Sequence, residues 1–455
     1  MEERNDFTEG KILSPLLGFA MPVLLAMLLQ AMYGAVDLLI VGQFGSAADV
    51  SAVATGGQVM QTITSVIVGL AMGTTILVGQ KIGEKKPKEA GDIIGSGIVL
   101  FAVLGVVITI LMLVFATPMC EVMKAPKEAF DKTVLYVKIC SGGALFIVAY
   151  NVLASIFRGI GDSKTPLMTV LIACFINIGG DLLFVAVFHM AAAGAAIATV
   201  IAQTVSVVIS LIVIRKKGMP FPFSRKNIRA DMKLIRATVR MGFPIALQDG
   251  LVSVSFLAIT MIVNSLGVIA SAGVGVAEKL CMFIMLVPSS FMQSMSAFVA
   301  QNIGAGKFNR AKRAMGYGMS VSFAFGIVMF YAAFFHGDVL SNVFTKDVQV
   351  IAASAQYLKA YGIDCLLTAF LFCFIGFFNG CGKTTFVMIQ GIAGAFAVRI
   401  PVSYIMSRIL PVSLFKVGLA TPCSSVVQII LCLIYFGTVK KSFSWTERAA
   451  VKSEK

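Results

Sequence analysis

Twelve apolar stretches, each long enough to cross a bilayer as a helix, follow one another along this chain with short polar breaks between them. They run approximately over 13–44, 52–81, 93–117, 134–156, 166–190, 192–214, 238–266, 269–301, 314–336, 352–378, 385–410 and 414–439. A hydrocarbon core of roughly 30 Å needs about 20 apolar residues per helix. Within lipid the backbone must satisfy its own hydrogen bonds, so the stretches read as helices. None alternates in the manner of barrel strands. With 58% hydrophobic and 13% charged residues and a mean hydropathy of +0.92, water is a poor solvent for such a surface. The fold class expected is an all-α integral membrane protein with twelve transmembrane helices.

The net charge of +15 invites a nucleic-acid reading, which the placement of the charges excludes. Lys and Arg are confined largely to short loops, and 27 of the 37 fall on one side: the N-terminus, 80–92, 158–164, 215–240, 306–313, the 382–383 turn and the C-terminus. By the positive-inside rule that side is cytoplasmic, so a multi-pass protein of the cell membrane with both termini inside is expected. The mixed-charge start, MEERNDFTEGKILSP, lacks the form of a secretory signal, and the first apolar stretch reads as retained. Nine Cys without a CxxC and two His (His189 and His336) give neither a disulfide framework nor a zinc site. No HExxH, GxSxG or Walker A occurs, and GCGKTT at 380–385 lacks the phosphate-loop spacing. The chain is therefore expected to be neither an enzyme nor ATP-driven, and to need no cofactor.

An internal repeat is legible. VGQKIGEKKPKEA at 78–90 aligns with VAQNIGAGKFNRA at 299–311, identical at six of thirteen positions. RGIGDSK at 158–164 aligns with NGCGKTT at 379–385 at the same offset, FAMP at 19–22 pairs with MGFP at 241–244, and GAA at 194–196 with GLA at 418–420. Six helices per copy return the chain to its starting side, so the halves share an orientation, related by a pseudo-two-fold axis along the membrane normal. The expected organisation is a six-helix bundle over 1–214, a basic linker over 215–237, a second bundle over 238–439 and a polar, mobile tail over 440–455. Duplication of this kind is a transporter signature, because two similar halves can alternate access to a central site.

Ionisable groups inside a membrane are costly and are functional candidates by default. Asp37, Asp181, Asp249, Glu278 and Asp364 fall within apolar stretches, as do Lys279 and Arg399. Asn177 and Asp181 stand four apart and share a helix face. Together with Asp37 and Thr199 they can present two carboxylates, an amide and a hydroxyl, which are hard oxygen ligands suited to Na⁺. Paired carboxylates can equally take up a proton, and sequence does not separate the two ions. Gln30 and Tyr33 precede Asp37 on the first helix as further polar contacts. In the second half Gln248, Asp249, Glu278 and Asp364 are secondary candidates, with Asp249–Lys279 and Asp364–Arg399 as possible neutralising pairs. The 24 Met and 35 Phe can adapt to lipophilic ligands, though packing accounts for them as readily.

MPVLLAMLLQAMYGAVDLLIVGQFG at 21–45, together with VGQKIG, FRGIGDSKTP and VAQNIGAGKFNRA, resembles the multidrug and toxic compound extrusion (MATE) family over nearly the whole chain. The resemblance implies two six-helix bundles forming a V with a cleft between them. It implies export of organic cations and lipophilic drugs by antiport with Na⁺ or H⁺, with membrane lipids as surroundings and a monomer as the working unit. Asp37, Asn177, Asp181 and Thr199 match the polar cluster of the family's N-terminal half. Asp364 matches an acid used in the C-terminal half of one branch. That branch carries a Glu in its seventh helix, where this sequence departs: Asp249 falls earlier, and Val252 or a neighbour takes the Glu's place. A flippase for lipid-linked headgroups, from the same superfamily, is the alternative. Five acids against two bases within the spans weigh toward cationic substrates.

Overall fold

A computed structural model describes residues 7–219 and 223–453, and their side chains except those of 217, 225 and 442–453. Among the described residues there is no strand. Eleven helices are long and apolar enough to cross a membrane, and one bent pair makes a twelfth. In chain order they are α1 (Leu13–Phe44), α2 (Ala47–Gly83), α3 (Pro87–Val122), α4 (Lys127–Gly142 with Ala144–Gly159), α5 (Lys164–Val187) and α6 (Ala191–Lys217). Then follow α7 (Met232–Asn264), α8 (Val268–Gly304), α9 (Phe308–Phe335), α10 (Val348–Gly380), α11 (Thr384–Arg408) and α12 (Leu414–Gly418 with Ala420–Ser453). The all-helical, twelve-span expectation is met.

Helix ends depart from the apolar stretches where polar groups do the capping. α2 begins at Ala47 rather than near residue 52 because Ser46 and Asp49 form a reciprocal capping box. Asp49 also takes Lys132 Nζ at 2.8 Å, tying the start of α2 to α4. α4 is bent by 54° at Gly143, where a Cβ would meet the Val200 side chain at 2.5 Å. The last helix does not stop at residue 439: its backbone stays helical to Ser453, so the polar tail expected over 440–455 is helical there, and 454–455 lie outside the described residues. The linker expected over 215–237 already contains the start of α7, and 220–222 lie outside the described residues. Its Asn227 donates to Asp92 at 3.0 Å, and its carbonyl sits where a Cβ on Gly95 would be.

The chain divides into two compact units whose borders fall inside helices. One runs over 21–246; the other joins 7–20 to 247–453. In the first unit α2 and the start of α7 pack almost backbone to backbone. A Cβ on Gly242 would lie 2.2 Å from the Leu70 carbonyl oxygen, and one on Gly69 2.7 Å from the Ala246 Cα. Without a hydrophobic drive between helices in lipid, such small-residue contacts supply the attraction. In the second unit the N-terminal segment is anchored by the 302–310 turn. Phe7 is fully buried, stacked on Phe298 at 4.9 Å and edge-on to Phe19 at 5.2 Å. Arg310 donates to the carbonyls of Phe7, Glu9, Gly10 and Lys11 at 2.6–3.0 Å. Lys307 donates to that of Thr8 at 2.9 Å, and Asn302 to that of Phe7 at 3.1 Å.

The repeat extends to local irregularity. α5 widens into a π-helix over Leu182–Val187 and its counterpart α11 over Ala393–Arg399. Such turns are rare and concentrate at functional sites. The first begins immediately after Asp181; the second ends on Arg399.

Candidate functional site

In the first unit α1, α5 and α6 converge on a buried polar cluster. Asp37 is 3% exposed, and Asn177 and Asp181 are inaccessible. Asn177 and Asp181 lie one turn apart on α5 and present the same face to α1. The Asp37 carboxylate faces Asp181, Asn177 and Thr199, and Thr199 Oγ1 donates to Asp37 Oδ2 at 3.4 Å. The four residues singled out in the sequence as a cation cluster are thus brought together.

Their polar atoms are poorly satisfied. Asp37 Oδ1, both Asp181 carboxylate oxygens and both amide atoms of Asn177 are buried and make no hydrogen bond. An unmade hydrogen bond on a buried polar group costs about 1–3 kcal/mol, more when charged. Four of the five are oxygens, from two helices, of the kind that can ligate a small cation; the fifth, Asn177 Nδ2, is an N–H donor suited to a carboxylate instead. The two carboxylates with an amide and a hydroxyl oxygen suit Na⁺, and a proton shared between the acids would relieve the same frustration. Among the described residues no three His, Cys, Asp or Glu side chains gather as a transition-metal site would require. Tyr33 reaches the Thr199 carbonyl at 3.5 Å, while Gln30 lies one turn earlier and donates to the Tyr150 hydroxyl at 2.9 Å. Both border the cluster without joining it.

The second unit distributes its charges differently. Asp364 on α10 is 2% exposed and accepts from Ser425 Oγ of α12 at 2.6 Å. Glu278 on α8 is half-buried, with Thr260 Oγ1 at 3.5 Å. Asp249 is half-buried on α7. The ion pairs expected between Asp249 and Lys279 and between Asp364 and Arg399 are not formed: among the described residues neither comes within 4.0 Å. Lys279 is exposed, as its long stem permits. Arg399 instead donates to Ser255 Oγ at 3.1 Å and lies over the Phe256 ring at 4.5 Å.

Sequence reasoning missed two features here. The pair of buried Asp49 with exposed Lys132 lay outside the apolar stretch, and its one signal was the Ser46-x-x-Asp49 spacing. The unpartnered amide atoms of Gln390 lie inside an apolar stretch, where a lone Gln was the signal.

A duplicated set of twelve membrane helices with acids buried in each unit describes a multi-pass membrane transporter. The MatE family model matches the chain twice, over residues 22–183 and 244–405, and the chain belongs to that family of multidrug efflux transporters, which are not enzymes. It is 25% identical over 430 residues to the probable multidrug resistance protein YoeA of Bacillus subtilis, covering 93% of each chain. It is 24% identical over 415 residues to the multidrug export protein MepA of Staphylococcus saprophyticus, covering 89% of this chain and 90% of that one. Among solved structures, an outward-facing multidrug resistance MATE family transporter superposes with a TM-score of 0.91 at 19% identity, covering 98% of this chain and 99% of the other. A MATE transporter in complex with MaL6 gives the same score, covering 98% and 100%.

Proposed function

We propose that this protein exports lipophilic organic cations by antiport with Na⁺ or H⁺, the coupling ion binding at Asp37, Asn177, Asp181 and Thr199. The carrying observation is the set of four buried oxygens without a hydrogen-bond partner on the first three of these residues. A cation entering the set satisfies oxygens that nothing else satisfies, so its binding free energy is large in the state that assembles them. A ligand shifts a conformational equilibrium by its differential affinity for the states. Cation binding therefore favours the access state in which the cluster is closed and drives substrate off. Release of the cation inward resets the protein for the next substrate. The names of the relatives YoeA and MepA support drug-like small molecules as cargo. The Lys/Arg distribution supports termini on the cytoplasmic side. The lipid bilayer as surroundings and a monomeric working unit complete the reading.

The test is transport of a fluorescent lipophilic cation in proteoliposomes under separately imposed Na⁺ and H⁺ gradients. Efflux should follow one of the gradients. Asp37→Asn should abolish that dependence while leaving the thermal unfolding midpoint within a few degrees of wild type. Full gradient-driven efflux by the variant would refute the assignment of the site.

A further inference from the structure

The seam between α7 and α11 in the second unit holds a set of buried polar groups that the cation cluster does not use. Gln248 and Ser255 lie two turns apart on α7; Gln390, Arg399 and Ser403 lie on α11. All five are at least nine-tenths buried. The helices approach closely, since a Cβ on Gly391 would meet the Gln248 amide at 2.7 Å. Gln248 Oε1, both amide atoms of Gln390, Arg399 Nε and Ser403 Oγ have no hydrogen-bond partner.

Arg399 gives this seam its chemistry. It is 7% exposed, and a permanent charge held in a membrane-embedded bundle ordinarily pairs with an acid. Here no carboxylate of the described residues comes within 4.0 Å of it. Asp364, within its electrostatic reach, is engaged by Ser425, and Glu278 by Thr260. Arg399 is held in place from two sides, by Ser255 Oγ on Nη1 and by the Phe256 face beneath the guanidinium plane. That leaves Nε, one of the two donors on the edge that grips a carboxylate or phosphate with parallel hydrogen bonds. Ser403, one turn along the same face of α11, offers a free hydroxyl. The residue ends the π-helix over Ala393–Arg399, a distortion that re-aims side chains at functional sites.

We infer that Arg399 and Ser403 form an oxyanion site that takes the carboxylate or phosphate of an amphipathic ligand whose apolar body lies among the helices, with Ser255, whose own hydroxyl donates to the Val252 carbonyl at 2.7 Å, holding the guanidinium in place. What is new is the place of the site, which deepens the export reading by giving an acidic group of the cargo a fixed partner in the second unit; the binding itself does not depend on ion coupling.

The experiment is equilibrium dialysis of the purified full-length protein in detergent, without any ion gradient, against 2-naphthoate and its methyl ester. Wild type should prefer the acid by tenfold or more. Arg399→Gln should remove the preference, and Arg399→Lys should retain part of it. Equal binding of acid and ester by wild type overturns the inference whatever the variants do. So does an acid preference that survives in Arg399→Gln. In a second arm phosphatidylglycerol and phosphatidylcholine are added in mixed micelles. Arg399-dependent displacement of naphthoate by the first alone supports the site and makes a lipid phosphate its natural occupant. No displacement supports a free solute. Failure of ion-gradient-driven transport in proteoliposomes would leave these binding results standing, so the two readings fail separately.

Discussion

Thr199 approaches Asp37 through a hydroxyl 3.4 Å away, at the long end of a hydrogen bond. A bond of that length to a carboxylate contributes about 1 kcal/mol. Thr199→Val should therefore raise the cation concentration for half-maximal transport by about fivefold, with the maximal rate retained. The measurement is the cation dependence of efflux in proteoliposomes, and an unchanged midpoint would remove Thr199 from the ligand set. At this scale the first-half cluster was legible because its logic is local. Asn177 and Asp181 are one helical turn apart, and acids in apolar stretches are conspicuous. The second-half pairings were not legible. Whether Lys279 turns toward Asp249 or out of the bundle depends on helix rotation, which spacing along the chain does not encode. The same holds for Arg399, whose partners Ser255 and Phe256 come from a helix 144 positions earlier in one case.

The existence of each helix was written in hydropathy, but its ends and breaks were not. α2 starts five residues ahead of its apolar stretch because a capping box, rather than hydrophobicity, sets the first turn. The bend in α4 and the π segments of α5 and α11 leave no periodicity signal, since each displaces the register by about one residue within an otherwise apolar run. Glycine carries a similar ambiguity, because a small residue in a span can mark a close crossing or nothing at all. Gly242 meets the Leu70 backbone, whereas a Cβ on Gly250, two turns on along α7, would point into open space. Gly242→Ala should thus cost about 1–3 kcal/mol through overpacking, visible as a lowered unfolding midpoint and a smaller folded yield. Gly250→Ala should be neutral or slightly stabilising in the same assay. Equal behaviour of the two variants would mean that α2 and α7 do not cross where described.

The duplication was visible in the whole chain through the paired loop motifs, and the two family matches cover corresponding stretches of each half. The compact units do not follow the borders that the basic linker suggested. Residues 7–20 are grouped with the second unit and 232–246 with the first, so α1 and α7 each begin in one unit and end in the other. The borders fall within a few residues of Pro22 and Pro244, at the FAMP and MGFP motifs that mark the repeat. A membership decided by contacts between distant residues has no signature in a hydropathy trace.

The N-terminal anchor has a consequence for the order in which the protein is made. Its hydrogen bonds join residues 295 to 303 positions apart. Phe7 therefore leaves the ribosome well ahead of Phe298 and Arg310, which follow only after eight helices have been started. For most of synthesis the leading segment has no receptor, and the first half must be inserted with its opening turn undocked. A cysteine placed at position 7, in a chain otherwise free of cysteine, should react readily with a maleimide in nascent chains stopped before residue 298. It should become protected once the ribosome has passed Arg310. Docking of the segment that precedes α1 is then a late step of assembly, and a message cut short at the first repeat yields helices that are inserted but never tethered.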